Sequence, residues 1–183
     1  LNSLLETQNL VDPELQRTSQ RKSAFCLEKK HEVPYSQSVV TGICMGRLFY
    51  RNSQRDKWSF ATFLWGMAGT GKSTIFDMLT ACIDKQQILR ISNNCAQVFS
   101  GLEKGGDAEL TGCAEFGKNT NLPFTEWLQM VSGESMAINV KHKANMIIEK
   151  WPSHLLLAGN SFPNNYPDDG GQTSRRMCCV LFD

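Results

Sequence analysis

The chain has 183 residues, 41% of them hydrophobic and 20% charged, with a formal net charge of +1. That length accommodates one α/β domain plus a short appendage, and the composition is that of an ordinary globular protein. The near-zero charge excludes an overall basic footprint, so any nucleic-acid contact must come from a local patch or from assembly. No run reaches the roughly 18 apolar residues of a membrane span, and no secretory signal opens the sequence.

Residues 1–35 are polar and mixed in charge, with Asp12-Pro13 and the run Glu28-Lys29-Lys30-His31-Glu32, and read as a weakly helical or flexible lead-in. Val39 to Tyr50 is apolar enough to pack as a helix running into a turn, and Arg51 to Lys57 is a polar linker. Residues 1–57 are therefore expected to precede a core at 58–183, in which strands and helices alternate from Trp58 onward. That alternation predicts a three-layer α/β sandwich with a mostly parallel sheet. The start at Leu1 and the stop at Asp183, directly after an apolar run, are the pattern expected of an internal piece of a longer polyprotein or multidomain protein.

The apolar run Phe60 to Trp65 predicts a buried strand, and Ser73 to Ile83, with Ile75, Phe76, Leu79 and Ile83 apolar, predicts a helix. Between them stands Gly66-Met67-Ala68-Gly69-Thr70-Gly71-Lys72-Ser73-Thr74, which carries the phosphate-loop pattern G-x-x-x-x-G-K-[ST]. Glycines let the backbone wrap a polyphosphate with its N–H groups turned inward, and the following helix presents its positive end. Lys72 can then reach the β- and γ-phosphates, and the Ser73 hydroxyl can join the shell of a Mg²⁺ ion. Strand, loop and helix stand in the order this chemistry requires, which makes a nucleoside triphosphate with Mg²⁺ the expected ligand and leaves kinases, GTPases, transporters and helicases open; ATP is what the resemblance described below implies.

Downstream, Ile88 to Ile91 is a second strand, Gly101 to Asp107 a loop turning at Gly105-Gly106, and Glu109 to Glu115 a weakly apolar strand. Pro123 to Val131 reads as a helix with Trp127, Leu128 and Met130 inward. Met136–Val140 and Asn145–Ile148 flank the basic tip Lys141-His142-Lys143 and read as a β-hairpin. His154 to Asn160 is a strand ending in a polar residue, a Pro- and Gly-rich loop runs to Gly171, and Arg175-Arg176 precede a last buried strand, Met177 to Phe182. The seven cysteines (26, 44, 82, 95, 113, 178 and 179) show neither C-x-x-C spacing nor zinc-site intervals to the three histidines, and suit reduced, intracellular thiols.

Three features narrow what the phosphate loop does. Glu115, at a strand end, can hold the Mg²⁺ shell or polarise the attacking water, or it is a surface glutamate. Asn160, at another strand end, can sense the γ-phosphate, or it is a turn residue before Phe162-Pro163. The Arg175-Arg176 guanidiniums can complete a neighbouring subunit's site, or they form a surface salt bridge.

The order of these features over residues 46–182 resembles a superfamily 3 helicase, the hexameric AAA+ class of small and large DNA viruses. The likeness is carried by Ser132-Gly133-Glu134, by Val140 to Ala144, by Trp151-Pro152 and by Leu156 to Asn160. Gly46 to Tyr50, Asp56-Lys57-Trp58, and Gly159 to Pro163 with Ser174-Arg175-Arg176 look most like the helicase part of primase-helicases of nucleocytoplasmic large DNA viruses. The resemblance implies that Lys72 and Ser73 bind nucleotide and metal, Glu115 is the catalytic acid, Asn160 the sensor, and Arg176, with Arg175 a close second, the arginine finger. It further implies that Lys141, His142 and Lys143 grip single-stranded DNA, that six copies form a ring, and that a primase domain stands upstream in the parent polypeptide. Replication in a host cytoplasm or nucleus follows from the same likeness. One departure stands out: the family commonly has two adjacent acids where this chain has Glu115 followed by Phe116. A small-molecule kinase and a non-catalytic nucleic-acid-binding ring module remain the alternatives, although no arginine-rich lid stands between Ile83 and Glu115.

Overall fold

The computed structural model describes residues 37–52, 54, 57–92, 101–118, 120–138 and 146–182. Five segments rich in Leu, Val, Phe and Cys form one parallel sheet: β1 (Ala61–Gly66), β2 (Ile88–Arg90), β3 (Leu110–Cys113), β6 (His154–Gly159) and β7 (Met177–Phe182). Their order is β2-β3-β6-β1-β7, so β6 separates the strand entering the phosphate loop from the strand leading to Glu115. Two further strands among the described residues, β4 (Met136–Ile138) and β5 (Met146–Ile148), pair antiparallel in a separate two-stranded sheet.

Alternation along each strand sorts side chains into two apolar layers. On one face Leu64, Leu110, Leu156, Ala158, Val180 and Phe182 meet α1 (Gln37–Arg47) and α2 (Lys72–Ala81), through Met45 and Leu48 near the first helix and Ile75 and Phe76 from the second. On the other, Ala61, Phe63, Cys113, Leu155, Leu157 and Met177 meet α3 (Phe124–Ser132), the β4–β5 pair and Trp151. The chain is thus a P-loop α/β three-layer sandwich, and the five described strands of its central sheet are all parallel. Trp127 and Trp151 are fully buried in the second layer; truncating a side chain of that size costs roughly 3–5 kcal/mol.

Helix α3 ends in a Schellman motif. Gly133 is left-handed at φ 66°, and the N–H groups of Gly133 and Glu134 donate to the carbonyls of Met130 and Gln129 at 3.2 and 2.9 Å. Asn52 supplies further donors: its Nδ2 reaches the Met130 and Val131 carbonyls at 3.3 and 3.2 Å, while its backbone N–H donates to Pro152 O. The first residues beyond α1 are therefore fastened to the end of α3 and the start of β6.

Several elements differ from the sequence reading. Gly101 to Asp107 is not an open loop; Leu102–Asp107 is a 3-10 helix. Within it Gly105 lies against the Trp151 indole, which occupies the space any Cβ would need. Strand β3 stops at Cys113, leaving Glu115 in the following turn, and α2 stops at Ala81. No helix among the described residues is long and apolar enough to cross a membrane.

Candidate functional site

The phosphate loop joins the end of β1 to α2. Gly66 pairs with Phe182 across β1 and β7, and a Cβ at Gly66 would overlap the Phe182 carbonyl oxygen. Gly69 and Gly71 adopt φ of 84° and 87°, the left-handed region open to glycine at no steric cost. Thr70 Oγ1 donates to Met67 O at 2.9 Å, tying the loop across itself. Among the described residues no side chain caps the start of α2, where the first amides have no partner within the helix. Gly66, Met67, Ala68, Gly69, Thr70, Gly71, Lys72, Ser73 and Thr74 are therefore contiguous around one backbone cradle, with Ser73 and Thr74 exposed beside it.

Lys72 is only 7% exposed, its Nζ folded back onto Met67 O and 3.4 Å from Thr70 Oγ1. Burial pushes its ammonium below the usual lysine range, and the Glu115 carboxylate pulls it back up. The cradle thus contains one nearly buried cation answered by one carboxylate, a charge arrangement suited to a polyphosphate. Among the described residues no three His, Cys, Asp or Glu side chains cluster as a ready-made metal cage. The Ser73 hydroxyl and the Glu115 carboxylate are oxygen donors of the type Mg²⁺ takes together with the phosphates of its substrate.

Glu115 and Asn160 follow two neighbouring strands at the same edge of the sheet as the loop. Asn160 comes directly after Gly159, which pairs with Trp65, and both polar residues are exposed. The Glu115–Phe116 backbone lies against β6: Phe116 N donates to Ala158 O at 2.8 Å, and a Cβ at Gly159 would overlap Phe116 O. Gly159 is thus a positioning residue that sequence reading placed in a motif without seeing its purpose. Phe116, which stands where the resembling family has a second acid, is buried. Its ring meets Phe63 at 5.9 Å and Tyr166 at 5.7 Å, edge-on to the first. A carboxylate here would point into the core, so in this backbone Glu115 is the acid this turn can present.

Arg175 and Arg176 sit at the opposite edge. They end a 3-10 turn, Ser174–Arg176, immediately before β7, and Met177 pairs with Ala61 at the beginning of β1. Six residues of strand at about 3.3 Å each place Arg176 roughly 20 Å from the loop of its own chain. Asp168 Oδ1 orders this turn by accepting from the Thr173 and Ser174 N–H groups, each at 2.9 Å. Arg176 Nε donates to Ser132 Oγ at 3.4 Å and Nη1 to Gln172 O at 3.3 Å. Burial lowers the proton affinity of its guanidinium, Arg175 adds to that, and Glu134 opposes it. Arg175 is more exposed.

Among the predicted site residues, the structure brings the phosphate loop, Glu115 and Asn160 to one edge and leaves Arg176 at the other. Lys141, His142 and Lys143 lie outside the described residues, although β4 and β5, which bracket them, pair as expected. Sequence reading gave no signal for Asp168 or Asn52, whose partners are fixed by tertiary contact.

No family model and no curated protein sequence matches the chain. Among solved structures, the apo C-terminal region of NrS-1 (residues 305–718) superimposes with a TM-score of 0.59 at 16% identity, over 93% of this chain and 38% of that one. The A form apo structure of that region gives 0.55 at 18% identity, over 93% and 37%. A structure of the JCV helicase aligns at 0.44 and 16% identity, over 98% of this chain and 50% of that one, a score too low to carry an argument. The chain therefore spans about two fifths of the NrS-1 region and shares its fold.

Proposed function

We propose that this chain is the ATP-hydrolysing motor of a superfamily 3-type DNA helicase, moving along single-stranded DNA during viral replication inside a host cell. The observation that carries the proposal is the separation of functional groups across the sheet. A nucleotide cradle with Lys72, Glu115 and Asn160 occupies one edge, while Arg176 stands roughly 20 Å away at the other. Such an arginine cannot serve its own site, but it can serve that of an adjacent copy in a ring, where a guanidinium supplied in trans stabilises the transition state.

In this reading Lys72 and the loop amides bind the phosphates, Glu115 orients water, and Asn160 answers the γ-phosphate. Ser73 and Glu115 would hold Mg²⁺, which when bound neutralises charge on the phosphates. Six copies with Lys141, His142 and Lys143 facing a central channel would grip the DNA backbone, with a primase domain elsewhere in the parent chain. The buried Phe116 favours one second reading, a non-catalytic ring module, because only one acid serves the site.

Steady-state ATP turnover with and without single-stranded DNA tests the proposal. A motor gives turnover that DNA stimulates, Lys72→Ala lowers it by about 10²-fold or more, and Lys141→Ala with His142→Ala removes only the stimulation. Turnover indifferent to DNA points to a phosphotransferase, and absent turnover to the non-catalytic module.

A further inference from the structure

Cys44 on α1 and Cys178 on β7 are separated by 134 positions in sequence, yet Cys44 Sγ donates to Cys178 Sγ at 3.2 Å. The two thiols differ in access. Cys44 is 2% exposed, while Cys178 is half-buried. The adjacent Cys179 faces the other layer, packed against the cluster around Phe63, because successive strand residues alternate between faces. Only Cys178 of the pair therefore meets the helix.

We propose that Cys44 and Cys178 form an oxidation site, a dithiol that a hydroperoxide converts into a disulfide stapling α1 to β7. Cys178 is the attacking group. Its thiolate takes the distal oxygen of hydrogen peroxide, the O–O bond breaks, and after protonation water leaves, giving a sulfenic acid. The Cys44 sulfur then attacks the Cys178 sulfur, the S–O bond breaks, and the hydroxyl leaves as a second water with the Cys44 proton. Two electrons pass from the thiol pair to one peroxide. Electrostatics support the division of labour: the Cys44 hydrogen bond pulls the Cys178 thiol below its ordinary range, burial opposes, and the Arg47 guanidinium one turn along α1 adds to the lowering.

The staple has a definite structural consequence. Strand β7 begins one residue after Arg176, and α1 otherwise meets the sheet through Met45 and Leu48 at its end. Oxidation fixes the helix to the strand that carries the arginine turn, without touching the phosphate-loop edge.

Peptide mapping of the full chain after limited hydrogen peroxide treatment, without reductant, tests this. Trypsin cuts after Arg47 and after Arg176, so the expected product is a cross-link between the peptide ending at Arg47 and the peptide Met177 to the C-terminus. Two of the seven thiols should disappear from the titre, and amide exchange in α1 should slow, both reversed by dithiothreitol. The cross-link should survive Cys179→Ser, which identifies Cys178 without relying on folding of a Cys178 variant. Oxidation confined to the exposed Cys82, a cross-link involving Cys179, a link only between two chains, or no cross-link would each overturn the proposal. Because the readout is covalent mapping and not turnover, it stands or falls independently of the motor assignment.

Discussion

The two edges of the parallel sheet are built from different materials. The edge where β1, β3 and β6 end is a backbone structure: Gly66, Gly69, Gly71 and Gly159 set it by positive φ or by contacts too close for a Cβ. Among the described residues its one nearly buried charge is Lys72. The edge where β7 begins is a side-chain structure, in which Asp168, Ser132 and the Gln172 carbonyl hold a turn and its arginine. A cradle of amides needs no partner to keep its shape. Among the described residues the Arg176 guanidinium is held by one hydroxyl and one carbonyl, and the phosphate loop lies at the far end of the sheet. Helix α3 connects the edges, starting after the Glu115 turn and ending at Ser132.

The comparison breaks most decisively at Arg176. Arg176→Ala should leave ATP affinity nearly unchanged but lower turnover of the assembled protein by about 10³-fold or more, the range of an arginine supplied across an interface. Mixing it with Lys72→Ala should restore part of the activity, because some interfaces then pair an intact Lys72 with an intact Arg176. Confirmed co-assembly without recovery would mean that both edges serve one chain.

At the cradle edge the corresponding test is one of stability. Gly66→Ala puts a Cβ onto the Phe182 carbonyl, and neither partner can yield without disturbing the β1–β7 ladder. A loss of about 3 kcal/mol is expected, or roughly 10 °C in Tm for a chain of this size. Gly69→Ala meets no neighbour and carries only the positive-φ strain of about 1–2 kcal/mol. Thermal unfolding of the two variants side by side checks the order; a Gly66 variant as stable as the Gly69 one would refute the close contact.

The same contrast explains what could be read in the sequence. The phosphate loop, β1, β6 and β7 were legible because continuous apolar runs bounded by Gly, Pro or charged residues specify buried strands locally. The basic pair before Met177 was legible as residues but not as a location, since only the strand order puts it opposite the loop. Gly105 under Trp151 and Asn52 on the end of α3 join residues 46 and 78–79 positions apart, which no local pattern encodes. The role of Phe116 was also hidden: the sequence shows an acid missing, but only the packing against Phe63 shows why this backbone would not present one.

A smaller effect separates holding Arg176 from being Arg176. Ser132→Ala removes the Oγ acceptor 3.4 Å from Nε and leaves the guanidinium in place. Turnover should fall by about three- to tenfold, the scale of one hydrogen bond of about 1 kcal/mol, with KM for ATP unchanged. Ser132→Thr should restore most of it, which a merely structural defect would not do. An unchanged turnover in the alanine variant would show that the Gln172 carbonyl and the neighbouring Glu134 field suffice to place the arginine.

The smallest expected effect lies at the other end of α3. Glu126 occupies the first helical turn, where the helix dipole favours a carboxylate. Burial nevertheless raises its proton affinity above the ordinary glutamate value of 4.5, so desolvation outweighs the dipole. The sign for stability follows. Between 4.5 and the raised folded value the native state binds more protons than the unfolded one, so stability declines as pH rises through that window, and the full cost is present at neutral pH. Glu126→Gln should therefore raise Tm slightly at pH 7, and the gain should vanish when both states of the wild type are protonated, below 4.5. Its ATP turnover should match wild type, because the charge of this carboxyl acts on Tyr166 in the second apolar layer. A marked fall in turnover would instead make Glu126 a second acid of the site, and the cradle would no longer depend on Glu115 alone.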